Sequence, residues 1–445
     1  MKPLLLLGIL LAVIVCGSQV FAEPGDSYAD SGSSERWWDE IQTEWGGYAR
    51  ARGFVTWPDD DSFFRPVGIE TLHDRNVQLR LNNRVYFGTW GYLESHYEAL
   101  VSSGDTREKI EELRALSPVP FPDELLPGQP LSDERRLMDL TSTVEEGDSY
   151  FVSHRLDRLN LTLRPEWGTV RIGRQIVTWG NGFLFNPMDL FNPFAPTDIE
   201  RDYKIGDDMI TTQLPVEKLG DFQFLYVPRR DPDDGDVKWD ESSLAAKLHF
   251  PVNTTEFDVL AASHFGDFVG GVGAVGYLGA AAWRADATLT IADGSVKRDE
   301  YVSFVANMDY SWVWWDKNFY GFIEVFFNGI GEDAPDEAFT NPELIERLER
   351  GDLFVVGRAY LDGTVQVELH PLVNLLVTTI NNLNDPSGIV QPRVVWDFAQ
   401  DFELVVGASI GYGEEGTEFG GFKLPGTDLL TQSPRNAFAY VSYYF

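Results

Sequence analysis

Polar and apolar residues alternate with a period of two along much of the chain. Between residues 300 and 314, Val302 and Phe304 belong to an apolar series, and Ser303 belongs to the more polar series between them. Successive side chains of a β-strand point to opposite faces, so the pattern predicts a strand with one apolar and one polar face. The same pattern recurs in many other segments.

The number of such segments predicts a large closed sheet. Eighteen segments carry the alternation or a weaker form of it, and bacterial membrane barrels have an even number of strands. Sixteen is the alternative, because 270–279 and 72–84 are weakly patterned. The predicted strands are 46–56, 72–81, 84–100, 149–164, 168–179, 206–215, 220–229, 240–250, 254–264, 270–278, 280–292, 299–312, 317–329, 356–369, 373–383, 388–398, 401–411 and 435–445.

A soluble β-sandwich also alternates, but strand length and aromatic placement favour a membrane barrel. Many predicted strands exceed the average of about 5 to 6 residues in soluble proteins and reach the 9 to 11 or so that a tilted membrane strand needs. Aromatic residues such as Trp314 and Trp315 stand at strand ends, as at a lipid–water interface. After residue 22 the chain lacks the long apolar run of a transmembrane helix. The prediction is an all-β, transmembrane, antiparallel up-and-down β-barrel.

The two termini fit an outer-membrane location. Lys2, the apolar run 4–15 and a cleavage site after Ala22 form a signal peptide over 1–22. A lipid-attachment role for Cys16 is the alternative, but Val15 stands where such sites carry a small residue. The predicted domains are therefore the signal peptide 1–22, an N-terminal periplasmic segment 23–45 and the barrel 46–445.

The last residues of the chain resemble an assembly signal. Tyr443 and Phe445 share the apolar face of the final strand, and a terminal Phe resembles the signal that the barrel-assembly machinery recognises. On a soluble protein, an exposed aromatic edge strand would be an aggregation hazard. We therefore expect outer-membrane lipid, lipopolysaccharide and the barrel-assembly machinery as partners.

Charge and composition exclude some classes of function. The chain has 35 basic and 70 acidic residues, and this balance argues against a nucleic-acid partner. The six histidines show no spacing with a nucleophile, and no metal-protease motif appears, so we expect no enzyme. No cofactor is expected, although acidic loops such as 59–61, 231–236 and 332–337 offer the oxygen ligands that Ca²⁺ or Mg²⁺ prefers.

The connections between strands alternate in length. Short turns, for example 81–84 and 165–168, are expected in the periplasm, and long loops, including 101–148 and 180–205, outside. Short helices are predicted in the first long loop, at 106–113 and 132–140, and this loop either plugs the lumen or lies exposed. Before the predicted first strand, Trp37, Trp38, Ile41 and Trp45 share one helical face, and the interpretations are a periplasmic interfacial helix, a short plug or a frayed start to the barrel.

The polar faces of the strands point to the chemistry of the lumen. Opposed basic and acidic faces create a transverse field across a pore, and arginine pairs well with carboxylates and suits anionic or sugar-like solutes. The alternative is that these arginines only satisfy lumen carboxylates. Arg174 falls on the lipid-facing parity, and a bulge at Gly173 is predicted to turn it inward. The predicted pore-lining residues are Arg50, Arg52, Arg80, Arg84, Arg158, Arg164, Arg171, Arg284, Arg358, Arg393, Glu324, Asp362, Glu368, Asp397 and Glu403.

One segment resembles a known family. The run 173–182, GRQIVTWGNG, followed by FNPMDLFNPF at 185–194, looks like a segment of porin-like barrels of the alginate-export type. The resemblance is specific over residues 173–208 and implies an 18-strand channel with an arginine-lined polyanion path. We expect this loop to fold against the mouth or into the lumen, or else to lie on the solvent side. Its predicted constriction residues are Trp179, Phe185, Asn186, Pro187, Asp189, Phe191, Asn192 and Pro193.

Together these features predict a porin-like channel for passive passage or export of small or polymeric anionic or sugar-like solutes. The alternative is a structural or adhesion barrel whose acidic loops bind divalent cations. The sequence does not decide the solute, the direction of transport or the oligomeric state.

Overall fold

The computed structural model describes residues 41–62, 64–116, 132–197, 203–216, 220–294, 297–431 and 435–445. The predicted signal peptide, together with Trp37 and Trp38, lies outside the described residues. No helix in the described part of the chain is long and apolar enough to cross a membrane.

Antiparallel strands dominate the chain, and most are long enough to span a membrane at a tilt. They are β1 Ile41–Trp57, β2 Leu72–Phe87, β3 Gly91–Gly104, β4 Thr141–Gly147, β5 Tyr150–Leu163, β6 Thr169–Gln175, β7 Asp207–Val216, β8 Gly220–Arg230, β9 Val237–Val252, β10 Thr255–His264, β11 Asp267–Leu278, β12 Ala281–Ile291, β13 Glu300–Trp314, β14 Lys317–Phe327, β15 Ala359–His370, β16 Val373–Asn382, β17 Ser387–Ala399, β18 Phe402–Tyr412, β19 Phe422–Lys423, β20 Leu430–Thr431 and β21 Arg435–Tyr444.

The strands close into an 18-strand barrel, which confirms the predicted fold class and the higher of the two predicted strand numbers. Each barrel strand pairs with its neighbour, and β1 completes the ring by pairing with both β2 and β21. β4 is additional: it pairs with the first half of β5, whereas β6 pairs with the second half. The two-residue strands β19 and β20 form a separate hairpin.

The outer face of the barrel is apolar and the inner face is polar. Met308 and Ile323 are exposed on the outer face, whereas Asn307 and Glu324, one position away along β13 and β14, are buried on the inner face. Exposed tryptophans such as Trp315 stand at the short turns. A closed barrel with an apolar band and aromatic girdles is the form that bacterial outer-membrane proteins take, and the protein is an outer-membrane barrel.

Several predicted boundaries are wrong. β2 continues through the predicted turn at 81–84, and the chain reverses at 88–90, where Gly88 has a φ of 61°. Of the three interpretations of the residues before the predicted first strand, the start of the barrel is the one found for Ile41 and Trp45, because both belong to β1.

The long loops carry two helices, α1 Asp105–Leu116 and α2 Pro342–Glu349. α1 corresponds to the helix predicted at 106–113. The second predicted helix, 132–140, is wrong: the segment consists of turns and extended residues held to neighbouring strands. In one such contact, the backbone N–H of Met138 donates to Asp208 at 2.7 Å.

The segment 132–140 also explains the burial of Arg174. The predicted bulge at Gly173 is not found, because the described pairing of β6 with β5 and β7 runs through it without a register shift. Arg174 instead donates to Asp133 and to Asp208, each at 2.9 Å. Asp133 of the loop segment and Asp208 of β7, rather than a change of strand register, supply the partners of this arginine.

Candidate functional site: the lumen and its inward-folded loop

The connection between β6 and β7 folds into the barrel. We call residues 176–206 the constriction loop, of which the structure describes 176–197 and 203–206. Trp179, Met188 and Phe191 are buried against the inner side chains of β8 to β11, including Leu225 and Leu260. Burial of these large apolar side chains is the main force that holds this part of the loop against the wall.

The tip of the loop reaches further round the wall. The ring of Phe185 stacks on Phe326 with centroids 4.4 Å apart and lies 5.3 Å from the ring of Tyr360. Phe183 stacks on Phe322 at 4.5 Å. The loop therefore crosses from β8 to β15 and narrows the lumen.

The sequence of the loop accounts for its shape. Gly180 has a φ of 87°, and a Cβ there would lie 2.1 Å from the side-chain oxygen of Asn186. Asn186 itself donates to the carbonyl of Trp179 at 3.0 Å. Asn192 joins the two legs of the loop: its side chain accepts from the N–H of Val177 and donates to the carbonyl of Ile205, both at 2.9 Å. The asparagines of the two Asn-Pro pairs thus hold the loop together through side-chain hydrogen bonds to its backbone.

Carboxylates of the wall bind the backbone of the loop. Glu324 on β14 accepts from the N–H groups of Phe183, Leu184 and Phe185 at 2.7, 3.0 and 2.9 Å, and from Asn307 Nδ2 at 3.0 Å. Hydrogen bonds to a charged group are worth more than neutral ones. Glu324 therefore fixes the tip of the loop rather than presenting a free charge to the lumen.

A second carboxylate of the wall also binds the backbone of the loop, two strands away from Glu324. Asp286 on β12 accepts from the N–H and the side-chain amide of Asn181 at 2.5 and 2.7 Å. We call Glu324 and Asp286 the carboxylate clamp. Asp286 was not predicted from the sequence, although it lies on the polar parity of its strand, because nothing local shows that the loop needs an acceptor at that point.

Asp362 lies directly across from Glu324 in the register of β14 and β15. It is buried, and neither of its carboxylate oxygens has a hydrogen-bond partner among the described residues. The two neighbouring acids therefore differ sharply: Glu324 is saturated by the loop, whereas Asp362 is not.

Within the loop, Asp189 forms an ion pair with Lys204. Lys204 also donates to the hydroxyl of Thr178 at 2.9 Å. Burial raises the pKa of the Asp189 carboxyl to about 7, and the charge of Lys204 opposes this rise. The pair ties the two legs of the loop together.

Arginines and tyrosines cover the opposite side of the lumen, where β1 meets β21. The guanidinium of Arg50 lies between the rings of Tyr48 and Tyr440, at 4.8 and 4.7 Å from their centroids. Arg80 lies 4.6 Å from the ring of Tyr203, which belongs to the constriction loop. We call the inner side chains of β1, β2, β3, β5 and β21 the arginine wall.

The innermost arginines of this wall are buried and paired. Arg80 donates to Asp157 at 2.5 Å and to Glu98 at 3.3 Å. Arg158 pairs with Asp157 at 2.7 Å, and Arg155 lies 3.6 Å from it. Asp157 is the extra residue of a bulge in β5, a position that simple alternation could not assign to the inner face.

The other arginines predicted from the sequence are less buried or lie away from this wall. Arg84 pairs with Glu94 at 2.6 Å. The Nε of Arg52 has no hydrogen-bond partner in the part of the chain that the structure describes. The remaining positions are Arg164, which follows β5 and lies over Tyr92; Arg171, which bonds Thr162; Arg284, which pairs with Asp309; Arg358, which precedes β15 and pairs with Asp333; and Arg393, which faces Gly407 across β17 and β18.

The remaining predicted acids lie toward the short turns. Glu368 accepts from Asn318 at 2.9 Å, and Glu403 accepts from the hydroxyl of Tyr444 at 3.3 Å. Asp397 is exposed near the end of β17.

The C-terminal residues complete the ring. The backbone of Phe445 exchanges two hydrogen bonds with Gly47, at 2.8 and 3.1 Å, and the ring of Tyr443 lies 4.7 Å from Phe402. Among the described residues, no group of three or more His, Cys, Asp or Glu side chains is placed to hold a metal ion. In the acidic loops, Asp231 and Asp234 share Lys238, and Glu332 pairs with Lys297.

Comparisons with solved structures found outer-membrane proteins among those similar to this chain. Wzi of Escherichia coli, an outer-membrane protein involved in group 1 capsule assembly and a carbohydrate-binding β-barrel, is 10% identical, covers 89% of this chain and 84% of its own, and has a TM-score of 0.49. OpdK of Pseudomonas aeruginosa is 10% identical, and the match covers 91% of this chain and 98% of OpdK with a TM-score of 0.48. A BenF-like porin of Pseudomonas fluorescens is 9% identical, and the match covers 91% of this chain and 98% of the porin with a TM-score of 0.49.

No family model and no curated protein matches the chain. The resemblance to the alginate-export type therefore remains a hypothesis.

Proposed function

We propose that the protein is a porin-like channel for passive passage or export of small or polymeric, anionic or sugar-like solutes. The observation that carries the proposal is the closed barrel whose polar lumen is narrowed by an apolar-anchored loop. A loop that served only an adhesive surface would have no reason to bury Phe185 and Phe191 against the inner wall. Narrowing by an internal loop instead gives a pore its size limit and its selectivity.

The arginine wall is the proposed contact for the solute. Arg50, Arg80 and Arg158 are buried and serve the wall itself, as the alternative interpretation of the lumen arginines requires. Arg52 and Arg84 are half-exposed, and each guanidinium lies near a tyrosine ring. An accessible guanidinium beside an aromatic ring suits a carboxylate or a sugar, since it offers paired donors next to a flat apolar face.

A polymeric anion is the solute that the resemblance to the alginate-export type would imply. Conductance blocked by uronic-acid oligomers but not by the monomer would support a polymer path. Block by the monomer alone would favour a channel for small solutes.

The experiment is single-channel recording of the refolded full chain in planar bilayers. Wild-type protein is expected to give stepwise conductance with a preference for anions. Arg52→Gln should lower the anion-to-cation permeability ratio by at most about fivefold, the equivalent of about 1 kcal/mol for unit charges 4 Å apart in water.

The matched control is Arg75→Gln. Arg75 pairs with Gly53 in the register of β1 and β2, next to Arg52 but on the other parity. Arg75→Gln removes one positive charge, as Arg52→Gln does, but from the outer face rather than from the lumen. The selectivity of this variant should therefore equal that of the wild type. Absence of conductance overturns the channel, and equal selectivity of the Arg52 variant and the wild type overturns the role of the arginine wall.

A further inference from the structure

A cavity of about 360 Å³ lies between the constriction loop and the segment that follows α2. The loop forms one side, Leu353 and Phe354 form another, and the inner faces of β11 to β14 form the wall. Its volume falls within the range of about 300 to 1,000 Å³ that small-molecule sites occupy. No residue assigned to the pore by the arguments above, other than those of the loop, belongs to this cavity.

The charged side chains around the cavity are already paired with one another. Asp189 pairs with Lys204, and Arg347 pairs with Asp267. Arg350 lies 3.1 Å from Asp352, which in turn lies 3.6 Å from His264. A charged solute would have to compete with one of these pairs, whereas an uncharged solute would not.

The wall offers uncharged hydrogen-bonding groups. Thr288 and Ser303 are register partners on the inner faces of β12 and β13, and Thr290 lies one inner position further along. Asn328, at the end of β14, is fully buried, and its side-chain oxygen has no hydrogen-bond partner among the described residues. Buried polar groups are normally satisfied, so an unsatisfied one beside a cavity indicates a missing partner.

The other surfaces of the cavity are flat, apolar and rigid. Pro193 and Phe194 line it from the loop, and Phe354 lines it from the segment after α2. Sugars present hydroxyl groups at their edges and C–H groups on their faces, which matches hydroxyls on one wall and aromatic rings on others.

We propose that this cavity binds an uncharged, polyhydroxylated solute of about one or two sugar units. The proposal rests on the proposed channel function and narrows its solute class, since a solute held here would stand directly above the constriction loop. The charge pairs around the cavity select against acidic sugars, and the hydroxyl row binds the neutral ones.

The test measures binding to the refolded full chain in detergent by isothermal titration calorimetry, with maltose and glucuronate as probes. Maltose is expected to bind, and glucuronate is expected to bind at least tenfold more weakly. Thr288→Val and Ser303→Ala remove one hydroxyl each at nearly constant volume and should each weaken maltose binding about fivefold to tenfold, the range for one lost hydrogen bond.

The control is Thr364→Val, on the inner face of β15 but outside the cavity, and its maltose affinity should be unchanged. Phe354→Ala, which changes a loop residue and not the barrel wall, provides a second variant that should weaken binding. No maltose binding by the wild type, tighter binding of glucuronate, or unchanged affinity of all three cavity variants would each overturn the proposal. The binding assay does not depend on ion flow. A barrel that binds maltose but does not conduct would therefore refute the proposed channel function and still support the binding site.

Discussion

The two sides of the lumen satisfy their charges in different ways. In the arginine wall, Asp157 and Glu98 receive their hydrogen bonds and ion pairs from side chains of the same and neighbouring strands. On the opposite side, Glu324 and Asp286 receive most of theirs from the backbone of the constriction loop. The arginine wall is therefore a part of the barrel's own structure, whereas the carboxylate clamp depends on the loop being in place.

The largest contrast is expected between Asp157→Asn and Asp362→Asn. Removing the Asp157 charge leaves buried Arg80 and Arg158 without their shared partner, and breaking a buried ion pair costs about 3 to 5 kcal/mol. Asp362 has no hydrogen-bond partner for its carboxylate in the described residues, so its replacement should leave the free energy of unfolding unchanged or raise it. Urea unfolding in lipid vesicles, followed by tryptophan fluorescence, measures both. Equal losses in the two variants would contradict the comparison.

The next largest effect concerns the carboxylate clamp. Glu324→Ala removes the acceptor of three backbone N–H groups, and a hydrogen bond to a charged group contributes about 1.5 to 3 kcal/mol. Loss of even one such bond should raise the population of the released loop about tenfold. Single-channel recordings should show longer or larger open levels.

Glu403→Ala serves as the control for the clamp. Glu403 is also an acid of the inner face, but it lies toward the short turns, where it accepts from the hydroxyl of Tyr444. If both variants change the open levels equally, the effect comes from lumen charge rather than from release of the loop.

The smallest effect is a dependence of the loop on pH through Asp189. Its folded pKa is raised to about 7, so below that pH the carboxyl of the seated loop holds a proton that a released, hydrated Asp189 would lose, and above it the ionised carboxylate pairs with Lys204. The contribution of Asp189 to seating is therefore complete at low pH, declines as pH rises, and is lost above about pH 7.

Recordings between about pH 5 and pH 8 should then show more frequent opening toward the alkaline end, by an amount that Asp189→Asn removes. The difference between wild type and variant is the relevant quantity, because other acids also titrate. A pH dependence that is identical in the two proteins would exclude Asp189 as its source.

The strands were predictable because alternation is a local property of the sequence. The predicted strands were wrong where contacts with a distant part of the chain determine where a strand ends or forms. β6 ends at Gln175 rather than at residue 179, because the chain leaves the wall to pack Trp179 against β8 to β11. β4 was not predicted, since it takes its place beside β5 only because β6 is short.

The site was predictable in its residue types but not in its partners. The doubled Phe-Asn-Pro pattern singled out the loop and its aromatic residues. Nothing in the sequence links Glu324 to the backbone of Phe185, because the two are 139 residues apart. Parity placed Arg80 and Arg158 on the polar face, but it could not show that Asp157, at a bulge, neutralises them both.

The pairing of β1 with β21 has a consequence for the order of folding. Arg50 and Ser442, which share a 2.7 Å hydrogen bond across this seam, are separated by 392 positions in the chain. Contacts between such distant positions form late, because the chain between them must first be ordered. Strands β8 to β11 are joined by short turns and can pair early. The constriction loop precedes them closely in the chain, so it can dock on them while the sheet is still open. Ring closure would then trap the loop inside an assembled cylinder, and a last strand that failed to pair would leave two bare edges open to aggregation.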